Sequence, residues 1–120
     1  MKKKILAIDF DGTIVEDRYP EIGPLRPGAR EVINRLHRSG RFKIIIWTCR
    51  TDEHAIEARR CLTRNMIFFD HFNKSCPQNV AEYGGVDTRK IYADMYIDDK
   101  GLHELPSWYE IEQLIEQRFK

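Results

Sequence analysis

Three consecutive isoleucines, Ile44-Ile45-Ile46, constrain this chain more than any other feature. β-Branched side chains in a row crowd a surface helix, whereas in a strand they send apolar groups to both faces of a sheet. A strand buried on both faces belongs to a mostly parallel sheet with covering layers above and below. Residues 43–47 are therefore expected as a buried strand.

The neighbouring segments alternate in kind. Residues 4–10 are a short apolar run ending in acid, consistent with a buried first strand. Residues 13–27 carry Pro20, Pro24 and Pro27 and are expected as loop or a small hairpin. Residues 28–39 place Ala29, Val32, Ile33 and Leu36 at helical spacing, with Gly40 where a C-cap belongs. Residues 51–65 are a second expected helix, with Asp52 and Glu53 in the first turn, where the helix dipole favours negative charge. Residues 67–72 read as a third strand. Between 73 and 88, Pro77 and Gly84-Gly85 allow only a short helix. Residues 95–98 read as a fourth strand ending in carboxylates. Ser107 with Glu110 fits a capping box, and Ile111, Leu114, Ile115 and Phe119 continue one apolar face. Trp108 and Tyr109 are expected to pack this last helix. Strand–helix alternation implies a three-layer, Rossmann-like α/β fold, a parallel sheet with helices on both faces.

Length and charge narrow the function. At 120 residues the chain suits one core, so a single domain over residues 1–120 is expected. Twenty basic residues against nineteen acidic ones leave a net charge of +1, which argues against a nucleic-acid stripe or a basic membrane surface. Met1-Lys2-Lys3-Lys4 is basic, but Asp9 and Asp11 interrupt the apolar stretch that follows too early for a signal peptide. No other stretch approaches a membrane span. Cys49, Cys61 and Cys76 lie in no metal-like spacing and read as reduced thiols in a cytoplasmic protein. His37, His54, His71 and His103 show no ligand pairing.

In a parallel α/β fold, ligands bind at the C-terminal ends of the strands. This sequence places Asp9 and Asp11 there after the first strand, Thr48 after the second, Asn73 and Lys74 after the third, and Asp98 and Asp99 after the fourth. Carboxylates gathered on one edge repel unless a cation sits among them, and an all-oxygen set suits Mg²⁺. A hydroxyl and an ammonium beside them match a phosphoryl group. Residues i and i+2 of a strand point to the same side, so the Asp9 and Asp11 carboxylates are expected to face one substrate. One can attack phosphorus, and the other can move the proton. Gly12 lets the chain turn just past the strand with no side chain in the way.

These residues resemble a known family. Asp9-Phe10-Asp11-Gly12-Thr13 is similar to the first motif of the haloacid dehalogenase-like (HAD) hydrolases, and Ile44-Ile45-Ile46-Trp47-Thr48 to the second. Lys74 resembles the lone basic residue of the third, and Ile97-Asp98-Asp99 the acidic pair of the fourth. Thr48-Cys49-Arg50 and residues 90–99 resemble small members without a cap domain. The resemblance implies a Mg²⁺-dependent phosphatase in which Asp9 is nucleophile and metal ligand. Asp11 would be the acid/base, its backbone carbonyl on the metal. Thr48 and a lysine would hold the phosphoryl oxygens beside Gly12, Cys49 and Arg50, and Asp98 would complete the metal site with Asp99 beside it.

Two assignments stay open. Lys90 is a second candidate for the third motif, although a straight strand over residues 91–98 would put it ~25 Å from Asp98. A bend near Ala93 would bring it back; Lys74 needs none and is preferred. Arg50 reads equally as a substrate contact or a surface ion pair. Glu16, Asp17, Arg18 and Tyr19 fall where the family has a small hairpin flap over the site. A signalling receiver module uses similar parts, but it carries its acidic pair after the first strand and its phosphorylated aspartate after the third. A third alternative is a phosphate- or metal-binding protein of the same fold without turnover. The substrate is expected to be a phosphorylated small molecule or macromolecule. A homo-oligomer in which a neighbour walls the site is compatible with the sequence.

Overall fold

The structure is a computed structural model and describes residues 2–120. Strand β1 (Lys4–Ile8) is followed by a hairpin, β2 (Val15–Arg18) and β3 (Glu21–Leu25), then helix α1 (Ala29–Arg38) and β4 (Phe42–Ile46). Helix α2 (Asp52–Arg64), the two-residue strand β5 (His71–Phe72), α3 (Pro77–Glu82), β6 (Met95–Ile97) and α4 (Trp108–Arg118) complete the chain. Strands β5-β4-β1-β6 form one parallel sheet in that order. β1→β4→β5 steps one way across the sheet, and β6 then returns to the other side of β1. The order of strands therefore reverses between β1 and β6, and such a switch point opens a crevice at the strands' C-terminal ends.

Alternation along β1 and β4 divides the core. Leu6, Ile8, Ile44 and Ile46 face α1, α2 and α4 in the larger cluster, with Val32, Leu62 and Trp108 buried among them. Ile5, Ala7 and Ile45 face the other way, onto Cys76, Ile91 and Ala93, with Trp47 alongside. The isoleucine run is buried on both sides as expected, each residue 0% exposed. The second layer is the thinner one, as the short helix expected between residues 73 and 88 implies. The short α3 and an irregular segment, rather than a long helix, cover that side.

The edge strands are shorter than their apolar runs suggest. Of residues 67–72, only His71–Phe72 join the ladder. Just before them, Asp70 accepts from the Ile44 N–H through its carboxylate (2.8 Å) while its own N–H donates to the Ile44 carbonyl (2.8 Å). Asp94 does the same ahead of β6, pairing with both backbone groups of Ile5 at 2.7 Å. A carboxylate that takes a strand's N–H replaces one rung and lets the chain leave the sheet.

Ser107 caps α4 by accepting from the Glu110 N–H (3.2 Å), but Glu110 receives its return bond from the Ser107 hydroxyl rather than its backbone. Tyr109 is 52% exposed, whereas Trp108 is 1% exposed and donates its indole N–H to the Thr13 carbonyl at 2.8 Å. Trp108 therefore joins the last helix to the segment after β1. Trp108→Ala is expected to cost about 3–5 kcal/mol, as large-to-small core substitutions do, measured by denaturant unfolding. Among the described residues, no helix is long and apolar enough to cross a membrane.

Candidate functional site

β1 ends at Ile8, one residue before Asp9 and earlier than expected. The Asp9 N–H still reaches across to the Ile97 carbonyl at 2.9 Å, so Asp9 sits on the last rung between β1 and β6. The chain then turns tightly: the N–H groups of Thr13, Ile14 and Val15 all converge on the Phe10 carbonyl. The turn separates Asp9 from Asp11, and they do not share a strand face as simple alternation would have it.

Asp9 faces the β6 end, where carboxylate oxygens of Asp9, Asp98 and Asp99 lie within 4.8 Å of one another. Gly12 makes this approach possible. Its φ is +86°, and a Cβ there would overlap the Asp99 carboxylate. Thr13, fully buried, holds the cluster from below: its hydroxyl donates to Asp9 Oδ2 (3.0 Å) and accepts from the Asp99 N–H (3.1 Å). Thr13 is the last residue of the Asp9–Thr13 run, and its burial beside two aspartates is what singles it out.

Asp11 goes elsewhere. Both of its oxygens are held by Arg50, from Nε at 2.7 Å and Nη2 at 2.8 Å. Arg50 is neither a surface ion pair nor available to a substrate. It is 2% exposed, and its remaining donors are taken by the backbone carbonyls of Pro20, Glu21 and His54. Thr48 lies after β4, its N–H donating to Asn73 Oδ1 (2.8 Å) while Asn73 Nδ2 returns a bond to the Thr48 carbonyl (2.9 Å). The Thr48 hydroxyl accepts from the Arg50 N–H, and its own hydrogen has no acceptor among the described residues. Thr51 is the N-cap residue of α2.

Asp9, Asp11, Thr48, Cys49, Arg50, Asp98 and Asp99 line one open pocket of about 430 Å³. Three further residues complete it: Asp17 and Tyr19 from the hairpin, and Lys100. Neither sequence candidate for the phosphate lysine lines this pocket. Lys74 is exposed after β5. Lys90 lines a separate pocket of about 480 Å³ with Tyr83, Tyr92 and Tyr96, its ammonium 5.3 Å from the Tyr96 ring centroid. Residues before β6 leave the ladder and the Tyr96 hydroxyl donates back to the Ile91 carbonyl at 2.6 Å, but this does not bring Lys90 into the aspartate pocket. The cation beside the aspartates is Lys100, 3.3 Å from Asp99 and 3.9 Å from Asp17. Its position directly after Asp98-Asp99 was the available sequence signal. Glu16 and Arg18 pair with each other in solvent. Asp70 serves the sheet edge. His71 is held below the usual imidazole range by burial and the Lys74 charge, so it stays neutral at pH 7.

Crowding shows in the electrostatics. Burial first, then the hydrogen bond with Asp99 and the Asp98 charge, push the Asp9 carboxyl up to about 8. Burial also opposes charge on Asp99, but hydrogen bonds from Asp9 and Lys100 outweigh it and hold Asp99 below the ordinary carboxylate range. One proton is therefore retained on Asp9 at neutral pH. A carboxyl raised in the folded state stabilises fully below its ordinary value of 3.8, and that contribution is lost as pH rises through about 8. In chelator, the melting temperature is expected to fall by at least ~4 °C between pH 5 and pH 8. Asp9→Asn should flatten that fall.

Asp9, Asp98 and Asp99, each offering one carboxylate oxygen, are the described residues that could hold a metal ion. Such a site in the crevice of a parallel sheet defines an α/β protein with an acidic centre at its topological switch point. Neither a scan of protein-family models nor a search of curated proteins finds a match for the chain. Among solved structures it is similar to a conserved protein from Bacteroides thetaiotaomicron. The two are 34% identical with a TM-score of 0.86, over 99% of this chain and 94% of that one. The chain belongs to the same family as that conserved protein.

Proposed function

We propose that this protein is a phosphomonoester hydrolase of the HAD type, without a cap domain, dependent on Mg²⁺ and acting through an aspartyl-phosphate on Asp9. The observation that carries this reading is the division of labour after β1. Asp9 is clustered with Asp98 and Asp99, while Asp11, two residues on, is held apart from them in the same pocket.

Asp9, Asp98 and Asp99 would hold Mg²⁺. Bound there, the cation would neutralise charge on these carboxylates and on the phosphoryl oxygens of a substrate. An Asp9 oxygen attacks phosphorus as the ester P–O bond breaks, and Asp11, which must first take up a proton from solvent while it accepts from Arg50, passes that proton to the departing oxygen. Asp11 then takes a proton from water as that water attacks phosphorus, which frees Asp9 and yields inorganic phosphate. The Thr48 hydroxyl, which lines the pocket and accepts from the Arg50 N–H, would donate to a phosphoryl oxygen. Between β1 and α1 there is only a hairpin, and between β5 and β6 only the six-residue α3, which fits an uncapped site. The free cysteines fit a reducing, cytoplasmic setting. The substrate is a phosphorylated small molecule or an exposed phosphate on a macromolecule, and the pocket's open mouth admits either.

The test is turnover of a generic phosphomonoester with millimolar Mg²⁺, and its loss in EDTA. Mg²⁺ should also raise the melting temperature at pH 8 more than at pH 5, because the cation replaces the proton on Asp9. Hydrolysis unaffected by EDTA would overturn the reading. The phosphate lysine is assigned by paired variants: removing it should lower kcat/KM by ~100-fold, while removing the other should change it by less than ~3-fold. The two variants are Lys74→Ala, preferred on sequence, and Lys90→Ala, whose ammonium lies over the Tyr96 ring in the separate pocket.

A further inference from the structure

Arg50 is the one fully buried charged side chain among the described residues. All five of its N–H donors are used, two on Asp11 and three on backbone carbonyls. Two of those carbonyls, Pro20 and Glu21, belong to the turn and start of β3 in the hairpin, and the third, His54, to the first turn of α2. The guanidinium carbon also lies 5.0 Å from the Tyr19 ring centroid and 5.5 Å from that of Phe10. A buried cation with every donor engaged has no capacity for a substrate phosphate, so its role is exerted through what it holds.

We propose that Arg50 is a positioning residue: it sets the Asp11 carboxylate at the pocket wall, clear of the Asp9–Asp98–Asp99 cluster, and ties that placement to the hairpin. A two-point guanidinium–carboxylate fork fixes the plane of the carboxylate as well as its position. Without the fork, Asp11 is close enough in sequence to turn toward the three clustered aspartates as a fourth acid. Because the same guanidinium holds the hairpin turn, a shift of the hairpin also shifts Asp11. Lysine, a point charge with three donors, keeps the charge but cannot bridge these acceptors in one plane.

The role of Asp11 as acid rests on the hydrolase reading, whereas the tie to the hairpin does not. The experiment uses Arg50→Lys, with two esters compared by kcat/KM, which runs only to the first irreversible step. An alkyl phosphate needs a proton on its leaving oxygen, and 4-nitrophenyl phosphate does not. Arg50→Lys should lose ~100-fold on the alkyl ester and less than ~5-fold on the nitrophenyl ester, the pattern expected of Asp11→Asn. Equal losses on both esters, or none on either, would overturn the assignment. In parallel, backbone hydrogen exchange of residues 21–25 should accelerate at least ~10-fold in Arg50→Lys while residues 42–46 stay protected. Unchanged exchange in the hairpin would overturn the tie. If residues 42–46 also lose protection, Arg50→Gln is read in its place by the same criteria. If the wild-type protein hydrolyses neither ester, the hydrolase reading fails and hydrogen exchange alone decides whether Arg50 clamps the hairpin.

Discussion

Replacing Asp9 with asparagine is expected to abolish phosphomonoester turnover, by at least ~10⁴-fold, or about 5.5 kcal/mol of transition-state stabilisation. An amide oxygen is a poor nucleophile toward phosphorus and carries no charge for a cation to balance. The variant should nevertheless fold well. Asp9 is crowded by Asp98 and Asp99 and retains a proton up to about pH 8, so the chain already tolerates a neutral group there. Asparagine keeps the size and can still accept the Thr13 hydroxyl, which reaches Asp9 at 3.0 Å. At pH 8 in chelator, Asp9→Asn should melt above the wild type. An inactive yet more stable variant marks a functional acid, whereas loss of both would mark a structural one. Activity and melting temperature of the same preparation separate the two outcomes.

The second large effect is at Gly12. Alanine there meets two independent costs. At φ +86° an L-side chain is strained, and its Cβ would overlap the Asp99 carboxylate. The backbone cannot yield easily, because the Gly12 N–H donates to the Val15 carbonyl at 2.8 Å and the next three N–H groups converge on Phe10. Asp99 must therefore move, and it carries its contact with Asp9 along. Gly12→Ala is expected to cost about 2–4 kcal/mol of stability. It should also lower turnover by ~100-fold or more through the displaced carboxylate. A well-folded Gly12→Ala with full activity would show that Asp99 is not needed where the structure places it. Thermal unfolding with and without Mg²⁺ reads the stability part, since displacement of Asp99 should blunt the response to the cation.

Much of the architecture was legible because it depends on local periodicity. The isoleucine run, the spacing of Ala29, Val32, Ile33 and Leu36, and the cap at Ser107 each encode their own element. The convergence of Asp9, Asp98 and Asp99 was also legible, because strand ends in a parallel sheet share one edge. Three features were not. Strand alternation placed Asp9 and Asp11 on one face, but β1 stops at Ile8 and the turn that follows sends Asp11 to Arg50. The burial of Arg50 depends on carbonyls from the hairpin and from α2, contacts between distant segments that leave no periodic signal. The two-residue length of β5 depends on the Asp70 carboxylate taking a ladder position, which an apolar run cannot announce. The lysine question has a similar origin. Its geometry depends on where the chain leaves the sheet before β6, and this is set by Asp94 bonding to Ile5.

The central claim is covalent, and one measurement reaches it directly. Protein quenched during turnover of a phosphomonoester with Mg²⁺ is reduced with borohydride, which converts an aspartyl-phosphate to homoserine, and the digest is sequenced by mass spectrometry. Homoserine is expected at position 9 alone, absent without ester or with EDTA. Unmodified Asp9 during demonstrated turnover, or homoserine at Asp11, Asp98 or Asp99 instead, would contradict it.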